Sequence, residues 1–293
     1  MIDEVMPFIA NAYSEFGKEF GIESISQKNI VDFFPSAQMR LAFLDRYAED
    51  QSYLSLTNDE QKWRGHFNYE LGFGMIQPTW LVNLQEILPV YRKHLSANNF
   101  LVEDRFELQQ LQLKSDHIQY KDLKASQIIF CDGIASASNP FFIKLPFAPN
   151  KGEVLWIEMA DFPKENIFKN GINLVPWKDD IYWVGSSYEW EFEHDQPTEN
   201  FRERITAILK KWIKPSFKVL DHQASVRPAT LERRPFVGFH PVHENIGIFN
   251  GMGTKGCSLA PWLANDFVNY LRNKTKIQPE ADIKRFTRIL SKQ

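Results

Sequence analysis

The chain has 293 residues, 43% of them hydrophobic and 24% charged, ample for a large core in one complex domain or two coupled ones. Its formal net charge of −3 leaves no basic excess of the kind that nucleic acid or an anionic membrane attracts, so neither is expected as a partner. Two cysteines, Cys131 and Cys257, make no disulfide framework, and a reducing, cytoplasmic setting is expected. No apolar run is long enough to span a bilayer, and the first residues do not read as a signal peptide. The 24 phenylalanines and 8 tryptophans suit buried packing and a ligand cavity walled by rings.

The periodicity of Val5, Ile9, Ala12, Phe16 and Phe20 predicts an opening helix with one apolar face. Residues 24–34 alternate like a strand and turn, and Ser36 is placed to N-cap a short helix through Met39, Phe43 and Tyr47. Residues 63–73 read as irregular. A second amphipathic helix is expected from Pro78 through Trp80, Leu84, Ile87 and Tyr91, with Pro89 bending or ending it. Strands are expected at 100–102 and 106–113, and the short apolar run 128–131 reads as a strand buried on both faces that stops at the Asp132-Gly133 turn. Antiparallel strands follow at 153–159, 172–175 and 181–185. Thr198 starts a helix whose buried stripe is Phe201, Ile205, Ile208, Leu209 and Trp212. Strands at 217–220, 236–239 and 246–249, a glycine-rich turn and a helix over about 258–271 complete the chain. The interleaving predicts an α+β or α/β chain with a β-rich insertion in its middle.

The segment from Ile246 to Ala264 is the most informative: a buried strand, a loop holding Gly251, Gly253 and Gly256, then a helix. Such glycines let backbone approach a flat ligand, and the amides at a helix start favour negative charge. On the glycines alone, a tight strand–helix turn without a ligand is the simpler reading. Two weaker patterns point elsewhere. His240-Pro-Val-His243 has a metal-like spacing but no third ligand, so a turn with two partly exposed histidines is expected. The acids Glu189, Glu191, Glu193 and Asp195 alternate with bulky residues as on an exposed edge strand, which is preferred to a calcium site.

Upstream of the glycine loop stands Ser225-Val-Arg-Pro-Ala-Thr-Leu-Glu-Arg-Arg-Pro-Phe-Val-Gly238. With Lys151-Gly-Glu-Val-Leu155, Asn173-Leu-Val-Pro176, Trp183-Val-Gly-Ser-Ser187, Ile128 to Gly133 and Gly74-Met-Ile-Gln-Pro78, it makes an ordered set over about residues 70–275. That set resembles the flavin-dependent amino-acid/amine oxidase family, the D-amino-acid oxidase and glycine oxidase group. The resemblance implies FAD as cofactor and a small amine or amino acid as substrate. It implies that Arg227 forks onto the substrate carboxylate; the competing expectation is a strand-end arginine paired with Glu232 or another acid. It further implies that Gly251, Met252, Gly253, Thr254, Lys255, Gly256, Cys257 and Ser258 line the flavin's pyrimidine edge, and that Gly133 sits by the ribose–phosphate region. Lys255 can equally be a solvated loop lysine, and Gly133 simply a turn glycine. No side chain is assigned as a general base, because hydride transfer to a flavin needs positioning and local charge above all.

The family opens with a strand, a Gly-x-Gly-x-x-Gly turn and a helix that bind the pyrophosphate. That motif is missing from the N-terminal region, and the one weak match, at Gly251, Gly253 and Gly256, belongs by the resemblance at the other end of the cofactor, so the expected fold is an interleaved FAD-binding domain, incomplete at its N-terminus, and an antiparallel β-rich substrate domain. The expected boundaries assign 72–150 and 222–293 to the first and 1–71 and 151–221 to the second. A late-called start is the preferred explanation. The alternatives are a truncated, non-catalytic remnant that does not retain FAD, and the flavin domain of a tRNA-modifying enzyme, against which the mild acidity argues.

Overall fold

The computed structural model describes residues 2–292. In chain order, helix α1 (Ile2–Phe20) is followed by strands β1 (Ile25–Gln27) and β2 (Ile30–Phe33) and helix α2 (Ala37–Glu49). Strands β3 (Leu54–Leu56), β4 (Phe73–Ile76) and β5 (Trp80–Val82) precede helix α3 (Leu84–Ala97). Next come β6 (Leu111–Leu113), β7 (Ile118–Tyr120), β8 (Leu123–Ala125) and β9 (Ile128–Phe130). The central strands are β10 (Asn150–Glu158), β11 (Ile167–Lys169), β12 (Asn173–Pro176) and β13 (Ile181–Gly185), followed by helix α4 (Glu199–Trp212). Strands β14 (Lys218–Arg227), β15 (Phe236–Phe239) and β16 (Ile246–Asn250) lead to helices α5 (Gly256–Asn273) and α6 (Thr287–Leu290).

The chain divides into two compact units. The first comprises Met1–Ser24, Val82–Asn150 and Val226–Gln293; the second comprises Ile25–Leu81 and Lys151–Ser225. These limits differ from the 71/72 and 221/222 boundaries expected from the sequence. Helix α1 packs on α5 within the first unit, where Phe8 meets Trp262 edge-on at 5.2 Å, so the opening residues part company with 25–71. Gly74-Met-Ile-Gln-Pro78 carries most of strand β4, paired on both sides by β2 and β3, ahead of β5 and α3.

The second unit is built on an eight-stranded sheet in the order β14-β10-β13-β12-β11-β2-β4-β3. The pairings β10–β13, β11–β12, β12–β13, β2–β4 and β3–β4 are antiparallel, and β11–β2 is parallel. Strand alternation sends Leu155, Ile157, Tyr182 and Val184 into a core shared with the Phe201, Ile205, Leu209 and Trp212 stripe of α4, as the helical spacing predicts. Phe33, Phe67, Phe168 and Trp212 fill its centre, with Phe67 stacked on Trp212 at 4.8 Å.

The first unit carries a three-stranded sheet, β15-β16-β9, in which β16 and β9 run parallel with Ile246 opposite Ile128. Among the described residues β9 ends that sheet. A separate antiparallel sheet, β6-β7-β8, follows the order of the chain. The architecture is thus mixed α/β with mostly antiparallel pairing, as expected.

Several elements depart from the sequence reading. Trp80–Val82 is a strand against β1, and α3 begins only at Leu84, where the Asn83 side chain accepts from Glu86 N–H. Helix α3 also runs through Pro89 to Ala97. The ring contacts of Phe16 and Phe20 with Tyr91 and His94 hold its second half against α1, offsetting the bond that Pro89 cannot donate. Residues 100–102 are irregular, and 108–110 form a 3₁₀ turn ahead of β6 instead of a continuous strand. The acidic segment 189–195 is no edge strand; only Glu189 makes an isolated bridge, to Lys151.

Candidate functional site

The first unit gathers the glycine loop, the Gly133 turn and the segment after Arg227. Asn250, the last residue of β16, is buried and ties two of them together. Its Nδ2 donates to Gly133 C=O at 2.8 Å and to Ser136 Oγ at 2.9 Å, while its Oδ1 accepts from Gly251 N–H at 2.8 Å. Parallel pairing of β9 and β16 brings both loops to the same end of the sheet, and one amide side chain then locks them. Asn250 was legible only as a polar residue ending an apolar strand, and nothing in its spacing singled it out.

Arg227 ends β14, and the backbone just beyond it meets the glycine loop. Pro228 C=O accepts from Gly253 N–H at 3.3 Å. Thr230 Oγ1 donates to Arg234 C=O and accepts from Arg234 N–H, closing the 230–234 loop. Gly251 has φ +76°, and a Cβ there would stand 2.8 Å from Thr230 Cγ2, so this glycine is required by protein packing. Gly133 has φ +59° with open space around its Cα, which suits a turn that another molecule can approach closely.

The rest of the predicted loop is placed residue by residue. Met252 packs half-buried against the core that holds Phe267 and Leu263. Gly253, Thr254 and Lys255 form a 3₁₀ turn, with Thr254 and Lys255 exposed. Gly256 opens α5, and Ser258 Oγ donates to Lys255 C=O at 3.1 Å. No side chain caps the α5 start, so its first amides keep their partial positive charge facing outward. Cys257 C=O would ordinarily accept from the residue four places on, but that residue is Pro261, which has no N–H. Tyr13 of α1 supplies the missing donor at 3.0 Å. Burial, reinforced by Cys257, pushes the Tyr13 phenol up to about 12, so it stays a neutral donor.

A cavity of about 580 Å³ flanks the first turns of α5 within the same unit. Val5, Leu259 and Trp262 supply apolar wall, Lys255, Arg233 and Arg234 bring three cations, and Glu4 and Glu280 bring two acidic side chains. Its size lies in the range of small-molecule and cofactor sites. The mixed charge and the indole wall suit a polar ligand with a flat part.

Arg227 is half-buried, and its Nη1 donates to Asn150 Oδ1 at 2.7 Å. The acid proposed as its competing partner is taken: Glu232 accepts from Arg285 Nε at 3.3 Å. In the second unit lies a polar cluster that spacing did not reveal. The fully buried Glu153 carboxylate accepts from Thr198 N–H at 2.7 Å and Thr198 Oγ1 at 2.9 Å, lies 3.2 Å from Lys151 Nζ, and meets His222 Nε2 at 2.9 Å. Burial pushes this carboxyl up, but the Thr198 hydrogen bonds and the Lys151 ammonium together hold it below the usual carboxylate range. Its placement at the start of α4 marks it as a structural cap.

The His240–His243 segment is a turn with His243 partly exposed, as expected, but His240 is buried. His240 is 6% exposed, and its Nδ1 accepts from the N–H groups of Val242 and His243, each at 3.2 Å. Among the described residues no group of three His, Cys, Asp or Glu side chains is placed to hold a metal. Both cysteines are free. No helix among the described residues is long and apolar enough to cross a membrane.

Residues 10–269 match the family model described as FAD dependent oxidoreductase. Curated relatives include glycine oxidase of Pseudomonas putida, 27% identical over 155 residues, which are 51% of this chain and 42% of that protein. Glycine oxidase of Pseudomonas aeruginosa is 24% identical over 145 residues, 48% of this chain and 40% of that protein. The matched segments thus span less than half of either relative's length. Among solved structures, glycine oxidase from Bacillus cereus superposes with a TM-score of 0.79 at 12% identity, covering 94% of this chain and 80% of that one. Glycine oxidase from Geobacillus kaustophilus gives 0.79 at 14% identity, covering 99% and 82%. At such identities the likeness speaks for the fold, whereas the family model reaches across both units and through β9, β16 and the start of α5. A family model that covers most of the chain settles its membership, and the chain belongs to the FAD-dependent oxidoreductases.

Proposed function

We propose that the chain oxidises the C–N bond of a small amino acid or related amine, with FAD as the acceptor. The first unit is the FAD-binding domain and the second the substrate domain on this reading. When bound, FAD would supply the acceptor for a hydride from the carbon bearing the amine, leaving an imine for water to hydrolyse. The residues of the chain do the positioning. The amides of Gly256, Cys257 and Ser258 would hold the pyrimidine edge and favour negative charge there. Met252, Gly253 and Thr254 shape the turn that delivers those amides, and Lys255 adds a cation beside them. Gly133, locked to the same loop by Asn250, lets the ribose–phosphate part lie close to the backbone. Arg227 presents parallel N–H donors to the substrate carboxylate and so orients its α-carbon.

The observation that carries the reading is the junction of the Arg227–Pro228 segment with the glycine loop through the Gly253–Pro228 bond. That junction supports a carboxylate-binding role for Arg227, since it joins the segment just after it to the loop that leads into α5. The glycine oxidase relatives point to a small amino acid as the substrate class. The test is to incubate the purified chain with FAD, remove the excess and record the visible spectrum, then add glycine and larger amines without oxygen. Retained flavin absorbance that bleaches with an amine is the expected result. A folded chain that retains no flavin overturns the oxidase reading.

A further inference from the structure

We infer that a cleft in the second unit binds a free amino acid with an apolar side chain, through the Arg204 guanidinium and the Glu189 carboxylate. The inference needs neither Arg227 nor a flavin and stands apart from the oxidase reading. The cleft, of about 370 Å³, is lined by α4 and by the residues that follow β11 and β13. That volume is at the small end of ligand sites. Phe201, Ile205 and Ile208, from the apolar stripe of α4, make part of its wall. Arg204 and Glu189 are the two charged residues among those that line it, and Asn170 adds a half-buried amide.

Neither charge is neutralised from within the protein. Arg204 lies one turn along α4 from Phe201, and its guanidinium sits 5.6 Å from the centre of that ring. No carboxylate among the described residues pairs with it. Glu189 is held by its backbone, whose N–H and C=O each bond Lys151 at 2.9 Å. Its carboxylate has no hydrogen-bond or ion-pair partner among the described residues. The Lys151 ammonium is engaged by Glu153 and by Gln196 C=O. Opposite charges that share a small cleft gain by pairing, and these two stand apart, each anchored separately. A ligand that carries both a carboxylate and an ammonium meets both at once. The planar guanidinium fork matches the carboxylate, and Glu189 accepts from the ammonium. A simple amine or a simple acid meets one of the two and leaves the other unmatched. Glycine would leave the α4 wall against water, so a side chain of leucine size suits the cleft better.

The probes are leucine, 3-methylbutylamine, which lacks the carboxylate, and 4-methylpentanoate, which lacks the ammonium. Titration calorimetry of the full chain without flavin measures their binding. Leucine should bind roughly fivefold or more tightly than either analogue, since each lacks one charged contact. Arg204→Gln should weaken leucine by roughly fivefold or more and leave the amine unweakened. Glu189→Gln should weaken leucine to a similar extent and leave the acid unweakened. Both substitutions replace side chains that reach solvent, and circular dichroism checks that the variants fold. A wild-type chain that binds leucine no better than the two analogues, or not at all, overturns the inference without any variant. Leucine bound equally by the wild type and by the folded variants places the amino acid elsewhere on the chain and overturns it too.

Discussion

On the proposed function, Arg227 is the side chain that meets the substrate carboxylate. Removing a charged hydrogen bond to a substrate carboxylate costs about 1.5–3 kcal/mol, so Arg227→Ala should raise the Michaelis constant for an amino acid by about tenfold or more. An amine without a carboxylate should be little affected, and steady-state kinetics on the two substrates separate the cases. His240 makes a prediction of a different kind. Burial first, then His243 and Lys144, lowers it to about 4, and its Nδ1 accepts two backbone N–H groups that a protonated ring could not satisfy equally. A folded value below the unfolded one, about 6.5, means that the folded state binds fewer protons. The stabilisation is therefore complete above pH of about 6.5 and is lost progressively as pH falls toward about 4, a change on the order of 3 kcal/mol. His240→Asn keeps an acceptor for the turn and removes the titration, so urea unfolding of the variant should show a shallower acid slope across that window. An equal slope in both proteins rejects the account. The sequence showed the two histidines but not the burial of His240, which packs beside Phe141 and Phe142, a hundred residues away in the chain.

At the scale of elements, regular segments were legible where the local pattern matched the tertiary demand. Ser36 and Thr198 cap α2 and α4 as their positions suggested, each accepting a backbone N–H three residues on. The strands at 181–185 and 236–239 fall where alternation and turn residues placed them. Pro89 was read as a stop because local propensity disfavours it, and packing of α3 on Phe16 and Phe20 outweighed that. Glu153 escaped notice because a glutamate in a strand gives no local sign that it will reach the start of a helix 45 residues on. Its removal should be severe. Glu153→Gln leaves the Lys151 ammonium, 1% exposed, without its carboxylate, and loss of one partner of a buried pair costs about 3–5 kcal/mol. Chemical denaturation should register that loss in the second unit; a change under about 1 kcal/mol would mean that the pair is not energetically coupled. Helix α5 offers a gentler test. Tyr13→Phe leaves Cys257 C=O without the donor that Pro261 cannot provide, and should cost about 1–2 kcal/mol. Restoring an N–H with Pro261→Ala in the Tyr13→Phe background should recover part of it.

Across the whole molecule, the motifs were legible in the sequence and the contacts that join them were not. The glycine loop, the Arg-Pro segment and the Gly133 turn were recognisable as separate motifs, yet the links among them are Asn250 and the Gly253–Pro228 bond, both products of the fold. The compact units have other limits than the expected domains for the same reason, since α1 packs on α5 through contacts some 250 residues apart in sequence. The two units make FAD binding a local event with a distinguishable signature. A ligand that binds only the folded state stabilises it by about 2.7 kcal/mol at a hundredfold excess over its dissociation constant. That stabilisation should fall on the unit that carries the α5 start, while the eight-stranded sheet of the other unit has no direct share in it. The first amides of a helix lack intrahelical acceptors, and no side chain caps these, so Gly256, Cys257 and Ser258 should exchange their hydrogens quickly in the free chain. With FAD added, hydrogen-exchange mass spectrometry should show peptides over 250–260 protected, together with those over 131–138 that Asn250 binds to them. Protection spread evenly over both units, or confined to peptides outside these two loops, would place the cofactor elsewhere and remove the basis for assigning roles to the glycine loop.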